Sequence, residues 1–172
     1  MASQSRRKSA ATAPRGPGHN HDRCVADALA RAEQVCRERD VRLTPIRRRV
    51  LELIWRSHAP VGAYELLEDL REGGRRAAPP TVYRALEFLR DNGLIHRIES
   101  RNAFVGCEHP QERHTAQYLL CEECGDAIEL EIAGLARRIQ TRAAELGFRV
   151  ARQTVEAYGL CQRCRPAEVH AR

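Results

Sequence analysis

Two Cys-x-x-Cys pairs, Cys121-Glu122-Glu123-Cys124 and Cys161-Gln162-Arg163-Cys164, carry the most specific chemistry in this sequence. Thirty-six residues separate the pairs. Four thiolates offered two by two suit the tetrahedral preference of Zn²⁺, whose Zn–S bonds are about 2.3 Å long. Two intervening residues let the chain turn and aim both sulfurs of a pair at one ion. The expected result is a structural metal that staples the start of a C-terminal unit to its end. One pair alone would equally suit redox chemistry. A thioredoxin-like nucleophile, however, needs a lowered thiol pKa at a helix N-terminus. Cys121 instead follows a strand pattern, and Glu122 and Glu123 are expected to raise its pKa. No catalytic residues are therefore expected. A thiol oxidoreductase and a zinc store are the competing classes.

Composition points the same way. No apolar run is long enough to span a membrane. The N-terminus shows no apolar core of a secretory signal, so a cytoplasmic, reducing location is expected. There, seven cysteines argue for metal thiolates rather than disulfides. The formal charge of +6 favours a polyanion such as DNA. That signal is diluted, because Arg6, Arg7, Lys8, Arg15 and Arg23 set against Asp22 place +4 of it in the first 23 residues.

These residues need elements to position them. Residues 1–22 are mostly Ser, Ala, Pro, Gly, His and Arg with almost no large apolar residue, and read as a disordered basic arm. A first domain is expected over 23–107. Val25, Ala28, Leu29, Ala32, Val35 and Cys36 recur at helical steps, with Cys36 as a small core residue. Thr44-Pro45 opens a second helix, with Thr44 as N-cap and Pro45 in the first turn. Arg47, Arg48 and Arg49 sit unfavourably for the helix dipole, which makes more sense if some of them face phosphates; a solvated face is the alternative. A third helix is predicted over 63–71, stopped by Gly73-Gly74. Pro79-Pro80-Thr81 opens a fourth, Val82–Asp91, which Asn92-Gly93 ends. Two extended runs, 94–99 and 103–107, flank Ser100-Arg101-Asn102 and read as a β-hairpin. Helices followed by such a hairpin make a winged helix-turn-helix, whose fourth helix is placed to enter the major groove.

A hinge is predicted over 108–115 and a second domain over 116–164, followed by a tail at 165–172. Strand patterns occupy 116–120 and 127–132, and a helix 133–146. A last strand is broken near Arg152–Thr154, because the apolar parity shifts there. The expected fold class is α+β: a winged helix-turn-helix domain, then a small α/β dimerisation domain clipped by the four-Cys zinc site.

The stretches Leu43-Thr44-Pro45-x-Arg47-x-x-Val50-Leu51, Ala63-Tyr64-Glu65-Leu66-Leu67 and Pro80–Leu89 resemble the ferric uptake regulator superfamily. Gly93–Cys107 resembles its zinc uptake regulator branch in particular. The resemblance covers about residues 24–164 and includes both Cys pairs. It implies a homodimeric, zinc-responsive repressor that binds palindromic operator DNA of zinc uptake genes, with two Zn²⁺ per subunit. The alternative within the superfamily is a sensor of iron, manganese or peroxide.

By position, the resemblance implies a regulatory metal site made of His96, Cys107, His114 and Glu129. A soft thiolate and imidazoles suit Zn²⁺ better than harder cations. His109 competes for the place given to His114, whose spacing before Cys121 matches the branch better. For DNA, Arg84 at the start of the fourth helix is the expected base reader, since Arg bonds guanine bidentately. Tyr64 matches the second family contact. Thr81 suits an N-cap or a phosphate contact. Tyr83 reads as a DNA contact or as a partly buried aromatic with its hydroxyl at a phosphate.

Overall fold

The structure, a computed structural model, describes residues 21–72, 78–111, 114 and 116–166. The predicted arm up to residue 20, the Gly73-Gly74 stop, part of the hinge and the end of the tail lie outside the described residues.

Four helices build the first domain: α1 (His21–Glu38), α2 (Pro45–Trp55), α3 (Ala63–Glu72) and α4 (Pro79–Asp91). The three- and four-residue spacing of Cys24, Ala28, Leu29, Ala32, Val35 and Cys36 puts all six on one buried face of α1. They pack against Val50, Leu51, Leu53 and Ile54 of α2, Leu66 and Leu70 of α3, and Val82, Leu86 and Leu89 of α4. A three-stranded antiparallel wing closes the domain in the order β1 (Val61–Gly62), β3 (Ala103–Gly106), β2 (Ile95–Ile98). The two-residue β1 carries no periodicity and escaped the sequence reading. A short 3-10 turn, Glu99–Arg101, joins β2 to β3, and Asn102 completes it in the left-handed region at φ 48°.

The second domain is a sheet in the order β5-β4-β6, with β4 (Gln117–Cys121) antiparallel to β5 (Ala127–Leu130) and parallel to β6 (Val155–Gly159). The helix α5 (Leu135–Glu145) lies between β5 and β6 in sequence and buries none of its residues. The expected break in the last strand is complete: only its second half, from Val155, joins the sheet.

Three local expectations change. Thr44 occupies the N-cap of α2 but makes no side-chain cap. Pro79 starts α4 two residues before Thr81, so Ala78 is the N-cap and Thr81 lies inside the first turn, its N–H bonded to Ala78 O at 2.9 Å. The three arginines of α2 find protein partners rather than standing free for phosphate. Arg47 donates to Arg42 O at 2.7 Å and stacks 3.5 Å above the Phe88 ring. Arg48 pairs with Glu33 at 3.3 Å and Arg49 with Glu52 at 2.5 Å.

The wing packs on the second domain. Ile98 and Val105 form a small core with Tyr118 and Leu120 of β4. Burial of the aliphatic members contributes about 1.5–3 kcal/mol each. Ala127 N donates to His58 O at 3.0 Å, and Glu99 N to Glu156 Oε1 at 2.8 Å. Arg39, just past α1, reaches Pro110 O at 3.1 Å and so ties the inter-domain segment to the first domain.

Candidate metal centres and nucleic-acid interface

The four cysteines converge at one end of the β5-β4-β6 sheet. Cys121 ends β4, and a tight turn, closed by Gly125 N to Cys121 O at 3.1 Å, brings Cys124 round. Cys161 follows β6, and a second turn places Cys164, with Cys164 N bonded to Cys161 O at 3.0 Å. The parallel pairing of β4 with β6 sets Cys121 beside Gly159, which aligns the two turns. All four sulfurs lie within 4.8 Å of one another. Cys124 Sγ and Cys161 Sγ are 3.8 Å apart. That is about the edge of a tetrahedron with arms of roughly 2.3 Å.

Electrostatics favour a cation here. The backbone N–H of Cys161, 3.4 Å from Cys121 Sγ, and next the N–H of Cys124 hold the Cys121 thiol down to about 6. Desolvation, then the sulfurs of Cys161 and Cys124, pushes Cys164 up to about 12. Groups spread this far cannot all be thiolates near neutral pH unless a positive ion sits among them. The lowered Cys121 reverses the expectation that Glu122 and Glu123 would raise it. Backbone N–H groups of Cys161, Cys124 and Glu123 directed at the sulfur outweigh its desolvation. Cys121 is nonetheless buried and ringed by three other sulfurs, which is poor access for a redox substrate.

A second cluster forms where the domains meet. His96 is on β2, Cys107 just after β3, His114 in the segment between domains and Glu129 on β5. The β2–β3 register brings the strand ends bearing His96 and Cys107 together, and Cys107 N donates to Leu94 O at 3.0 Å. One ligand atom from each residue lies within 4.8 Å of the others. His114 Nε2 is 3.7 Å from Cys107 Sγ and 2.6 Å from Glu129 Oε1. His96 Nε2 is buried without a hydrogen-bond partner, 3.6 Å from the same Glu129 oxygen.

Burial sets the protonation of this cluster. It keeps His96 below its ordinary pKa against the pull of Glu129, and raises the Cys107 thiol. Burial also works to raise Glu129, but the hydrogen bond from His114 and the nearby His96 bring it below the carboxylate range. The set is thus a thiol, a carboxylate and two imidazoles, one of which, the neutral His96, keeps a buried, unpaired Nε2. Such a nitrogen is costly unless something coordinates it, and one thiolate with two imidazoles and a carboxylate fits Zn²⁺. The cluster does not include His109.

Tyr118 stands directly opposite Glu129 across β4 and β5 and its ring lies 6.1 Å from that of His96. Trp55, at the end of α2, fills the space over Gly106, where a Cβ would collide with its indole ring. Neither contact was foreseen. Strand parity could have paired Tyr118 with Glu129, but nothing local links Trp55 to Gly106.

A third surface gathers the residues expected at DNA. Tyr64 opens α3 and is 78% exposed; Tyr83 on α4 is 49% exposed. Thr81 and Arg84 are exposed in the first half of α4. Arg84 makes no ion pair or hydrogen bond with another described residue. Tyr64 and Tyr83 rim a groove with Arg90 of α4 and Arg97 and Arg101 of the wing.

With this geometry in view, comparison with known proteins is decisive. Residues 38–158 match the ferric uptake regulator family.

The chain belongs to the ferric uptake regulator family.

Within the family it is similar to the zinc uptake regulation protein of Escherichia coli (strain K12), at 42% identity over 139 residues, 80% of this chain and 81% of that protein. It resembles the crystal structure of holo XcZur, with a TM-score of 0.74 and 47% identity over 80% of this chain and 96% of that one. It also resembles a zinc uptake regulator complexed with zinc and DNA, with a TM-score of 0.76 and 41% identity over 81% of this chain and 94% of that one. The family and its zinc uptake branch are those that the sequence pointed to.

Proposed function

We propose that the chain is a zinc-responsive transcriptional repressor, which binds palindromic operators of zinc uptake genes as a homodimer. The observation that carries this reading is the inter-domain cluster. His96, Cys107, His114 and Glu129 come from the wing, the connecting segment and the second domain, and converge within 4.8 Å. Their donor set suits Zn²⁺ and argues against iron or manganese. Zn²⁺ supplies four-coordinate bonding that needs all of these residues in one place at once.

The protein's part is to make that demand select an orientation. His96 and Cys107 fix the base of the wing, and Glu129 fixes the sheet of the second domain. Holding all of them sets the first domain's α4 relative to the partner subunit's. Affinity for DNA then rises only by the difference in metal affinity between this orientation and the others. Arg84 reads base edges, Tyr64 and Tyr83 contact base or backbone, and Thr81 contacts phosphate.

Cys121, Cys124, Cys161 and Cys164 hold a second, structural Zn²⁺, giving two sites per subunit. Dimerisation covers apolar side chains left exposed on the second domain, among them Leu119, Ile132, Leu146 and Phe148. No described helix is long and apolar enough to cross a membrane. A cytoplasmic regulator without enzymatic activity is the reading that follows.

The test uses a duplex selected from a randomised pool by native, zinc-loaded protein. After chelation, binding should return with zinc and not with iron or manganese at matched free concentration. Equal recovery with iron or manganese would overturn the zinc assignment.

A further inference from the structure

Arg101 sits in the 3-10 turn at the tip of the wing. Its Nη1 donates to Gly125 O at 2.9 Å and its Nη2 to Cys121 O at 3.2 Å. Both carbonyls belong to the turn that carries the first Cys pair. The planar guanidinium spans two acceptors at once, which an ammonium on a flexible stem does not. Glu99, two residues earlier, adds its N–H to Glu156 Oε1 at 2.8 Å and its carboxylate to Arg152 at 3.5 Å.

The wing is therefore held at both ends. Its base carries His96 and Cys107; its tip rests on the four-Cys turn. Between these points Ile98 and Val105 pack on Tyr118 and Leu120. Arg101 also borders the groove beside Tyr64 and Tyr83. A residue so placed could serve DNA directly as a phosphate contact. The two carbonyls already satisfy its fork, and they point it at the second domain.

We propose that Arg101 is a positioning residue that couples the four-Cys turn to the DNA-binding wing, so that the order of that turn sets operator affinity through Arg101 as well as through dimer formation. This rests on the reading above that the four cysteines hold zinc and that the groove face meets DNA. Zinc fixes the Cys121–Gly125 turn, the turn presents both carbonyls, and Arg101 fixes the tip of the wing against them. Loss of order at the turn then releases the tip even while the regulatory cluster still holds its base.

The test compares native, Arg101→Ala and Arg101→Lys full-length protein, each zinc-loaded. Zinc content and dimer mass are measured first, then amide exchange at residues 98–103 without DNA, then affinity for the selected duplex across a salt series. Both variants should keep native zinc content and dimer mass. Exchange over 98–103 should rise about tenfold or more in both. Affinity should fall about 5–50-fold at every salt concentration, with the slope of log K against log salt unchanged. Arg101→Lys should resemble Arg101→Ala, because it keeps the charge and loses the fork. A slope smaller by about one unit in Arg101→Ala, with native exchange, would make Arg101 a phosphate contact and overturn the proposal. Native affinity and exchange in Arg101→Lys would overturn it too, leaving charge as the whole effect. Native protein that binds the duplex without zinc would defeat the underlying reading, and the proposal with it, before any variant is compared.

Discussion

His114 Nε2 lies 2.6 Å from Glu129 Oε1, although the two residues are fifteen apart in sequence. One comes from the segment between the domains and the other from the sheet of the second domain. Their contact closes the cluster that His96 and Cys107 begin from the wing. It also fixes the proton balance of metal uptake. Burial keeps Cys107 a thiol and His96 neutral, while Glu129 is ionised. Binding must then displace the Cys107 proton. Apparent zinc affinity at the exchangeable site should rise with pH, by about tenfold per unit for that one proton, across roughly pH 6.5–8. Competition titration against a chelator of known pH dependence measures this. A flat profile would mean that Cys107 does not ligate as thiolate.

Arg84→Ala should cost about 1–3 kcal/mol on the selected duplex and relax the preference at one base position per half-site. Arg49→Ala provides the contrast. Because Arg49 pairs with Glu52 rather than standing free, the salt dependence of its DNA binding should match native. Selection on randomised duplexes and a salt series give both results. Native discrimination in Arg84→Ala would take base reading away from α4.

Gly106→Ala should disturb two things together. The new methyl collides with the Trp55 ring, and overpacking of this kind costs about 1–3 kcal/mol. It also moves the backbone next to Cys107, so regulatory zinc affinity should drop while the four-Cys zinc stays. Trp55 is the one tryptophan in the sequence, so fluorescence reports the first effect in a denaturant melt. An unchanged melting midpoint would show that the indole swings aside freely.

Cys161→Ser should unfold or monomerise the second domain. A structural Zn²⁺ contributes on the order of 10 kcal/mol to folding, as much as the whole stability of a typical domain. Analytical ultracentrifugation and zinc analysis decide the point. A folded dimer with native melting would reduce the four-Cys site to an accessory.

The sequence was most readable where function forces residue types together. Both Cys pairs, the four residues His96, Cys107, His114 and Glu129 that converge between the domains, and the helix–hairpin order were all visible in spacing or in the family resemblance. It was least readable where a side chain chooses a distant partner. Arg47, Arg48 and Arg49 look misplaced against the helix dipole, yet Arg42 O, Phe88, Glu33 and Glu52 account for them. Thr81 has the chemistry of a cap, but Pro79 starts the helix earlier. The thiol of Cys121 is held down by backbone N–H groups, first that of Cys161, forty residues away in sequence, then those of Cys124 and Glu123, and the carboxylates of Glu122 and Glu123 do not raise it. Arg101 reads as an ordinary turn residue until the second domain is folded beneath it.

The most direct measurement is a zinc titration of duplex affinity for native protein, Cys107→Ser, His114→Ala and His109→Ala. Cys107→Ser replaces a soft thiolate with a weak hydroxyl ligand and leaves the four-Cys site alone, so it should stay a folded dimer. It should lose the exchangeable zinc and bind about 5–150-fold more weakly at saturating zinc. His114→Ala should behave the same way, and His109→Ala should stay close to native. A zinc-responsive Cys107→Ser protein with native affinity would contradict the assignment of the switch to the inter-domain cluster.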